Sequence, residues 1–367
     1  SEMSAENREQ YEVMLGTIWN TMAETIASSR DFSAEDLNSW IDNLAIESAE
    51  DAKAKGIVDE LWYDDQVEEY LCSLVGVEKY KDVKSISLQK YAASKVKPDF
   101  RAKDKIAVIY ADGEIVMGDK SDGQIGDNFA KEIAKARADS SVKAVVFRVN
   151  SPGGSVQASA IIEREIELLK AEKPVIASYG DYAASGGYWI SCNCDRIFSN
   201  RTTLTGSIGV FGLIPSFGKA IKKNLHLNTF EVSTHKHGNM GDMINPLDAD
   251  EVAWMQNSIE TVYDDFTSRV ASARQKSQES VDSIAQGRVW AGGDAIGIGL
   301  VDQLGGLEDA IEYAADAVGL EGWVKALNDG NNELIQWMLN PNDPRDMKIT
   351  FQNTVDGKTM KTLEGTG

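Results

Sequence analysis

Two glycine-rich bends, Asn150-Ser151-Pro152-Gly153-Gly154-Ser155 and Ala183-Ala184-Ser185-Gly186-Gly187-Tyr188, each follow a short apolar run. No other feature narrows the fold as much. The preceding runs, 144–149 and 174–178, together with 106–110, read as short buried strands. Apolar residues recur at helical spacing over 9–26 and 252–271, and further helices are expected over 133–138 and 157–171, between the strands. Strands alternating with helices imply an α/β fold, a largely parallel sheet with crossover helices. Both bends then sit at strand ends, where ligands bind in open α/β sheets.

A long-range repeat sets the domain organisation. The stretch 51–61, with Gly56-Ile57-Val58-Asp59-Glu60-Leu61, reappears at 294–304 as Gly299-Leu300-Val301-Asp302-Gln303-Leu304. Upstream, Ile26-Ala27-Ser28-Ser29-Arg30 echoes Val270-Ala271-Ser272-Ala273-Arg274, at a spacing one residue different, so one indel separates two copies of a helical module. Self-similarity at such a distance marks a duplicated domain rather than a solenoid. The expected division is therefore 1–104, the helical remnant of a first repeat plus a linker; 105–325, a complete second repeat; and 326–367, a turn-rich and weakly packed tail. The strands and bends of a first repeat would lie upstream of residue 1.

Charge and composition exclude several classes. A formal net charge of −21 opposes binding to nucleic acid or anionic lipid, both of which reward clustered Lys and Arg. No run approaches the length of a membrane span, and the first residues carry no charged and then apolar leader, so neither a span nor a signal peptide is expected within the chain. Cys72, Cys192 and Cys194 form an odd set. A zinc site wants two spaced pairs and a bridge between Cys192 and Cys194 would be strained, so all three are expected as small buried apolar residues. His235 and His237 with Asp242 make a weak metal pattern in a glycine-containing loop, where a surface role is expected; no metal and no cofactor is predicted.

The bends themselves suggest acyl transfer. A serine hydroxyl attacks a carbonyl only when a neighbouring base takes its proton and N–H donors receive the oxyanion. Ser185 offers the hydroxyl, and Gly153, Gly154 and Gly186 offer backbone amides that substrate can approach closely. Either bend alone reads as a tight strand-to-helix turn. The pair, with a serine set among small residues, points to chemistry.

Three ordered motifs carry a family resemblance: 149–155, then 183–191, then Leu204-Thr205-Gly206-Ser207-Ile208-Gly209. Together they resemble the S49 serine peptidases of the signal peptide peptidase A or protease IV type, in the long duplicated form, over roughly residues 1–325. The resemblance implies a crotonase-like fold shared with Clp protease, Ser185 as nucleophile and Ser207 as the residue that orients the base. It also implies a lysine base, a variant of the triad that needs a neutral amine. That base is either Lys236, in Val232-Ser233-Thr234-His235-Lys236, or a lysine upstream of this chain. A Ser-His arrangement of the Clp kind is the rival, with His226 the first histidine after Ser185. The family implies extended hydrophobic peptides such as released signal peptides as substrates, a homo-oligomer, and attachment to the bacterial inner membrane, periplasmic side, through a segment absent here. Two other classes stay open: a catalytically silent scaffold or oligomerisation fragment lacking its base, and a crotonase-type acyl-CoA enzyme that needs no nucleophile. Ile208, Val210 and Phe211 read either as an apolar groove or as a buried strand.

Overall fold

Strand β1 (Asp104–Asp112) begins a sheet that continues through β4 (Val142–Ser151), β5 (Val175–Ala184), β6 (Arg196–Ser199) and β9 (Gln303–Leu304), all parallel. The structure is a computed structural model that describes residues 2–87, 104–118 and 123–319, and four short strands between 347 and 366. Two small strands, β2 (Glu114–Val116) and β3 (Gln124–Gly126), pair with each other beside the first bend. At the other bend, β7 (Leu204–Gly206) pairs with the end of β5 and with β8 (Val289–Ala291), which runs antiparallel to it.

Period-2 alternation sorts the strand residues onto two cores. On one face Ile109, Val145, Phe147, Val149 and Ala177 pack beneath the helices Ala130–Ala138, Val156–Lys170 and Ala249–Ala273. On the other, Ile106, Val108, Ala144, Val146 and Ile176 meet the helix Leu307–Ala317 through Ala310, Ile311, Ala314 and Ala315. Strands buried on both faces read as continuous apolar runs, which is why 106–110 and 144–149 stood out. Each expected helix is present, its ends displaced by at most four residues.

Part of the segment expected as a turn-rich tail is strand. Met347–Gln352 (β10) pairs in parallel with β1 in register Ile106↔Ile349, and Leu363–Thr366 (β13) pairs antiparallel with it; two further short strands, β11 (Thr354–Val355) and β12 (Lys358–Thr359), pair with each other. The physical reason lies in a period-2 pattern, Met347, Ile349 and Phe351, meeting the free hydrogen-bonding edge of β1. The remainder of 326–346 lies outside the described residues.

The two helical modules match in detail. Helix Ala5–Ser28 corresponds to Ala249–Ala273, and Ser33 and Ser277 cap the helices that follow them. Gly56 and Gly299 hold the same left-handed turn, at φ 73° and 78°. Asp59 and Asp302, at matching places in the two modules, each receive an arginine: Arg30 reaches Asp59 at 2.7 Å, and Arg274 clamps both oxygens of Asp302. Asp302 also accepts from the amide of Ile197 at 2.8 Å, tying its module to β6. The carboxylates recur because each closes its loop against an arginine supplied by the preceding helix.

Candidate active site

The first bend is built by β4 running into Pro152. Asn150 stitches it down: its Oδ1 accepts from the amides of Asp181 and Tyr182 at 3.0 and 3.2 Å, and its Nδ2 donates to Asp112. The bend is clamped to β2, with the Ile115 amide donating to the Gly153 carbonyl and the Ser155 amide to the Ile115 carbonyl at 2.8 and 2.7 Å. Ser155 then caps the helix Val156–Lys170 by accepting from Ala158 N. Glycine is obligatory here. A Cβ on Gly154 would stand 2.0 Å from the Ile115 carbonyl oxygen, and one on Gly153, whose φ is +102°, 2.6 Å from Gly186 N and 2.7 Å from Ser185 Cβ.

The second bend ends β5 at Ser185, which begins the short helix Gly186–Trp189. Ser185 sits at φ 52° and ψ −122°, a conformation that costs a non-glycine residue on the order of 1–3 kcal/mol and that clusters at functional sites. Its amide is fixed to Gly206 O of β7 at 2.9 Å. Behind it Gly187 lets Ser151 O approach, Tyr188 donates its hydroxyl to Leu300 O at 2.9 Å, and Trp189 stacks on Phe266. The tyrosine of the motif is therefore a strut between the short helix after Ser185 and the helical module. A Cβ on Gly186 would lie 3.2 Å from Gly154 N, so the two glycine bends are packed against each other beside Ser185. The Gly153 amide donates to Ser151 Oγ at 3.2 Å.

Ser185, Ser207, Gly153 and Gly154 line one cleft of about 810 Å³, closed by Val210, Phe211, Tyr263 and Gln286. Ser207 also holds positive φ, 47°, with its amide bonded to Arg288 O at 2.8 Å. Ile208 is fully buried while Val210 and Phe211 line the cleft, and all three lie outside any strand, so the segment is not the buried strand of the alternative reading. Tyr263 comes from a helix 78 positions from Ser185. It donates to Asp282 and accepts from Gln286 N, holding the loop that faces Ser207; no short-range pattern could have announced it.

Lys236 is not brought to this cleft. It is exposed on the loop before the helix Ala249–Ala273 and paired with Asp250, which holds its ammonium above the ordinary lysine range, the opposite of what a neutral base requires. Among the described residues, no lysine and no histidine lines the cleft. His235 and His237 share the Lys236 loop; His237 faces Glu251 at 3.1 Å, while Asp242 turns onto the amides of Ile244 and Asn245. Cys72, Cys192 and Cys194 are free and buried, and burial pushes the Cys192 thiol up to about 12 and that of Cys194 higher still.

A profile of peptidase family S49 matches residues 1–78 and 167–321, and one of Clp protease matches 97–206. The chain belongs to peptidase family S49. Its parallel sheet with flanking helices is the α/β crotonase-like fold the motifs implied. Protease 4 of Salmonella typhi is 38% identical over 332 residues, 88% of this chain and 53% of that protein. The chloroplastic serine protease SPPA of Arabidopsis thaliana is 34% identical over 320 residues, 85% of this chain and 47% of that protein. A putative protease of Methanocaldococcus jannaschii is 32% identical over 255 residues, 66% and 78%. The chain thus spans about half the length of the first two of these curated relatives.

Proposed function

We propose that this chain carries the nucleophile half of a serine peptidase. The observation that supports the reading most is Ser185 held at positive φ where the two glycine bends meet, in one cleft with Ser207; the amides of Gly154 and Gly186 are the oxyanion donors of this reading. In this mechanism Ser185 Oγ attacks the scissile carbonyl carbon while a neutral lysine amine takes its proton. The resulting oxyanion is received by the two amides, where a dry and preorganised donor pair is worth several kcal/mol, about 3–4 for one donor. Collapse expels the amine leaving group with the proton carried by the base, and water releases the acyl group by the reverse sequence. Ser207 orients the amine. Since Lys236 is ion-paired and away from the cleft, we place the base on a lysine of the protein outside this chain.

The substrates that fit are extended, apolar peptides such as released signal peptides, because Val210, Phe211 and Pro152 give the cleft apolar walls. Among the described residues no helix is long and apolar enough to cross a membrane. Attachment to a bacterial inner membrane on its periplasmic side would use a segment outside the chain, and assembly as a homo-oligomer belongs to the same reading. A fluorophosphonate probe tests the core of it. Labelling of the intact protein that disappears in Ser185→Ala is expected; labelling unchanged by that substitution would exclude Ser185 as nucleophile.

The lack, among the described residues, of any lysine or histidine lining the cleft favours one second reading, a fragment that is silent alone. No labelling of residues 1–367, with labelling once the remainder of the protein is present, is its signature.

A further inference from the structure

Helix Ala5–Ser28, the last long helix of the first repeat, packs on β8 of the second. Its contacts are specific. Thr17 Oγ1 donates to Asp294 at 2.8 Å, Glu9 lies 3.3 Å from the Arg288 guanidinium, and Gln10 Oε1 accepts from the amide of Val289 at 2.9 Å. Among the described residues β8 is an edge strand: it pairs with β7 on one side only, and the outward amide of Val289 meets no strand there.

That amide belongs to the same peptide unit as the Arg288 carbonyl, which accepts from Ser207 N at 2.8 Å. A peptide unit is planar and rigid, so fixing the direction of its N–H fixes the direction of its C=O. One end of the plane is therefore held by Gln10 and the other end holds Ser207 at its positive φ. The adjoining Gly206, paired with Val289 in the β7–β8 register, receives the amide of Ser185. Ser185 and Ser207 thus both hang from strands whose outer edge is closed by a side chain of the other repeat.

We propose that Gln10 is a positioning residue for the active site of the second repeat, acting through the Arg288–Val289 peptide to set Ser207. Ser207's part in catalysis rests on the serine peptidase reading; the mechanical linkage does not. The first repeat's helix is by this inference a component of the next repeat's catalytic apparatus rather than a spacer.

The test is amide hydrogen exchange, read at Ser207, together with fluorophosphonate labelling and kcat and KM in the intact protein. Gln10→Ala should speed exchange of the Ser207 amide, which Gln10 does not touch, by about three- to tenfold, the scale of one lost hydrogen bond. It should lower kcat by a similar factor with KM near its original value. Gln10→Glu keeps an acceptor oxygen and should restore both. Thr17→Val, which removes another bond of the same helix without reaching the Arg288–Val289 peptide, should leave Ser207 exchange at the wild-type rate. Wild-type exchange in Gln10→Ala, or equal acceleration in Thr17→Val, would overturn the proposal. Accelerated exchange in a protein whose Ser185 never labels would uphold the linkage and count against the peptidase reading instead.

Discussion

At the scale of single residues, the site is made by atoms that are missing. Gly153 leaves no room for a Cβ between Ser185 and Gly186, and its φ of +102° disfavours one in any case. Gly153→Ala is expected to destabilise the protein by about 1–3 kcal/mol, from backbone strain and overpacking against atoms that cannot yield. It should also abolish fluorophosphonate labelling of Ser185. Gly56 makes the informative contrast: its φ is also positive, yet nothing lies within 4 Å of a Cβ there. Gly56→Ala should cost about 1 kcal/mol in urea denaturation and leave labelling unchanged. The Pro-Gly-Gly and Ser-Gly-Gly motifs were visible in the sequence because steric demands of this kind admit one residue type. Asn150, by contrast, stood in the first motif without a readable role. Its three bonds join β4 to the last residues of β5 and to Asp112 at the end of β1, partners that only folding brings together.

Between elements, charge pairs of the same descent differ in weight. The Arg274 and Asp302 side chains are 9% and 21% exposed, those of Arg30 and Asp59 32% and 83%. Breaking a buried pair strands a charge, so Arg274→Ala should cost about 3–5 kcal/mol, whereas an exposed pair is worth below about 1 kcal/mol, the ceiling expected for Arg30→Ala. Urea midpoints of the two variants check the difference. A second tie joins helix Val156–Lys170 to helix Ala249–Ala273, where Arg269 pairs with Glu163. Burial raises the Glu163 carboxyl to about 7, outweighing the guanidinium beside it. A carboxyl whose folded pKa is raised contributes stability that is complete below its unfolded value, near 4.5, and is lost as pH climbs through about 7. Glu163→Gln should remove that loss, because Arg269 keeps Asp265 at 2.9 Å as a partner. The stability of this variant relative to wild type should rise between those two pH values; a difference flat across that range would refute the assignment.

For the whole molecule the open matter is the proton acceptor. A duplicated chain can divide a catalytic dyad between its copies, since each copy folds around its own core and the two need only meet at a cleft. Lys236→Ala is then expected to leave kcat/KM of the intact protein within about twofold, as for removal of an exposed and uninvolved charge. A loss beyond about a hundredfold with the fold intact would return the base to this chain.

What the sequence by itself determined is local or periodic. Strand alternation, helix spacing, the two glycine bends, the serine between small residues and the duplicated module all follow from backbone sterics and from which face of an element is buried, and these are written in neighbouring positions. The strands within 347–366 were not legible because they depend on a free edge at β1, more than 230 residues away in the chain. Tertiary structure alone decided that the two glycine bends meet at Ser185, that Lys236 is spent on Asp250, and that Tyr263 and Gln10 bond the amides of Gln286 and Val289. These are hydrogen bonds and ion pairs between residues distant in sequence. Their energies depend on distances of a few tenths of an ångström, which no spacing along the chain encodes.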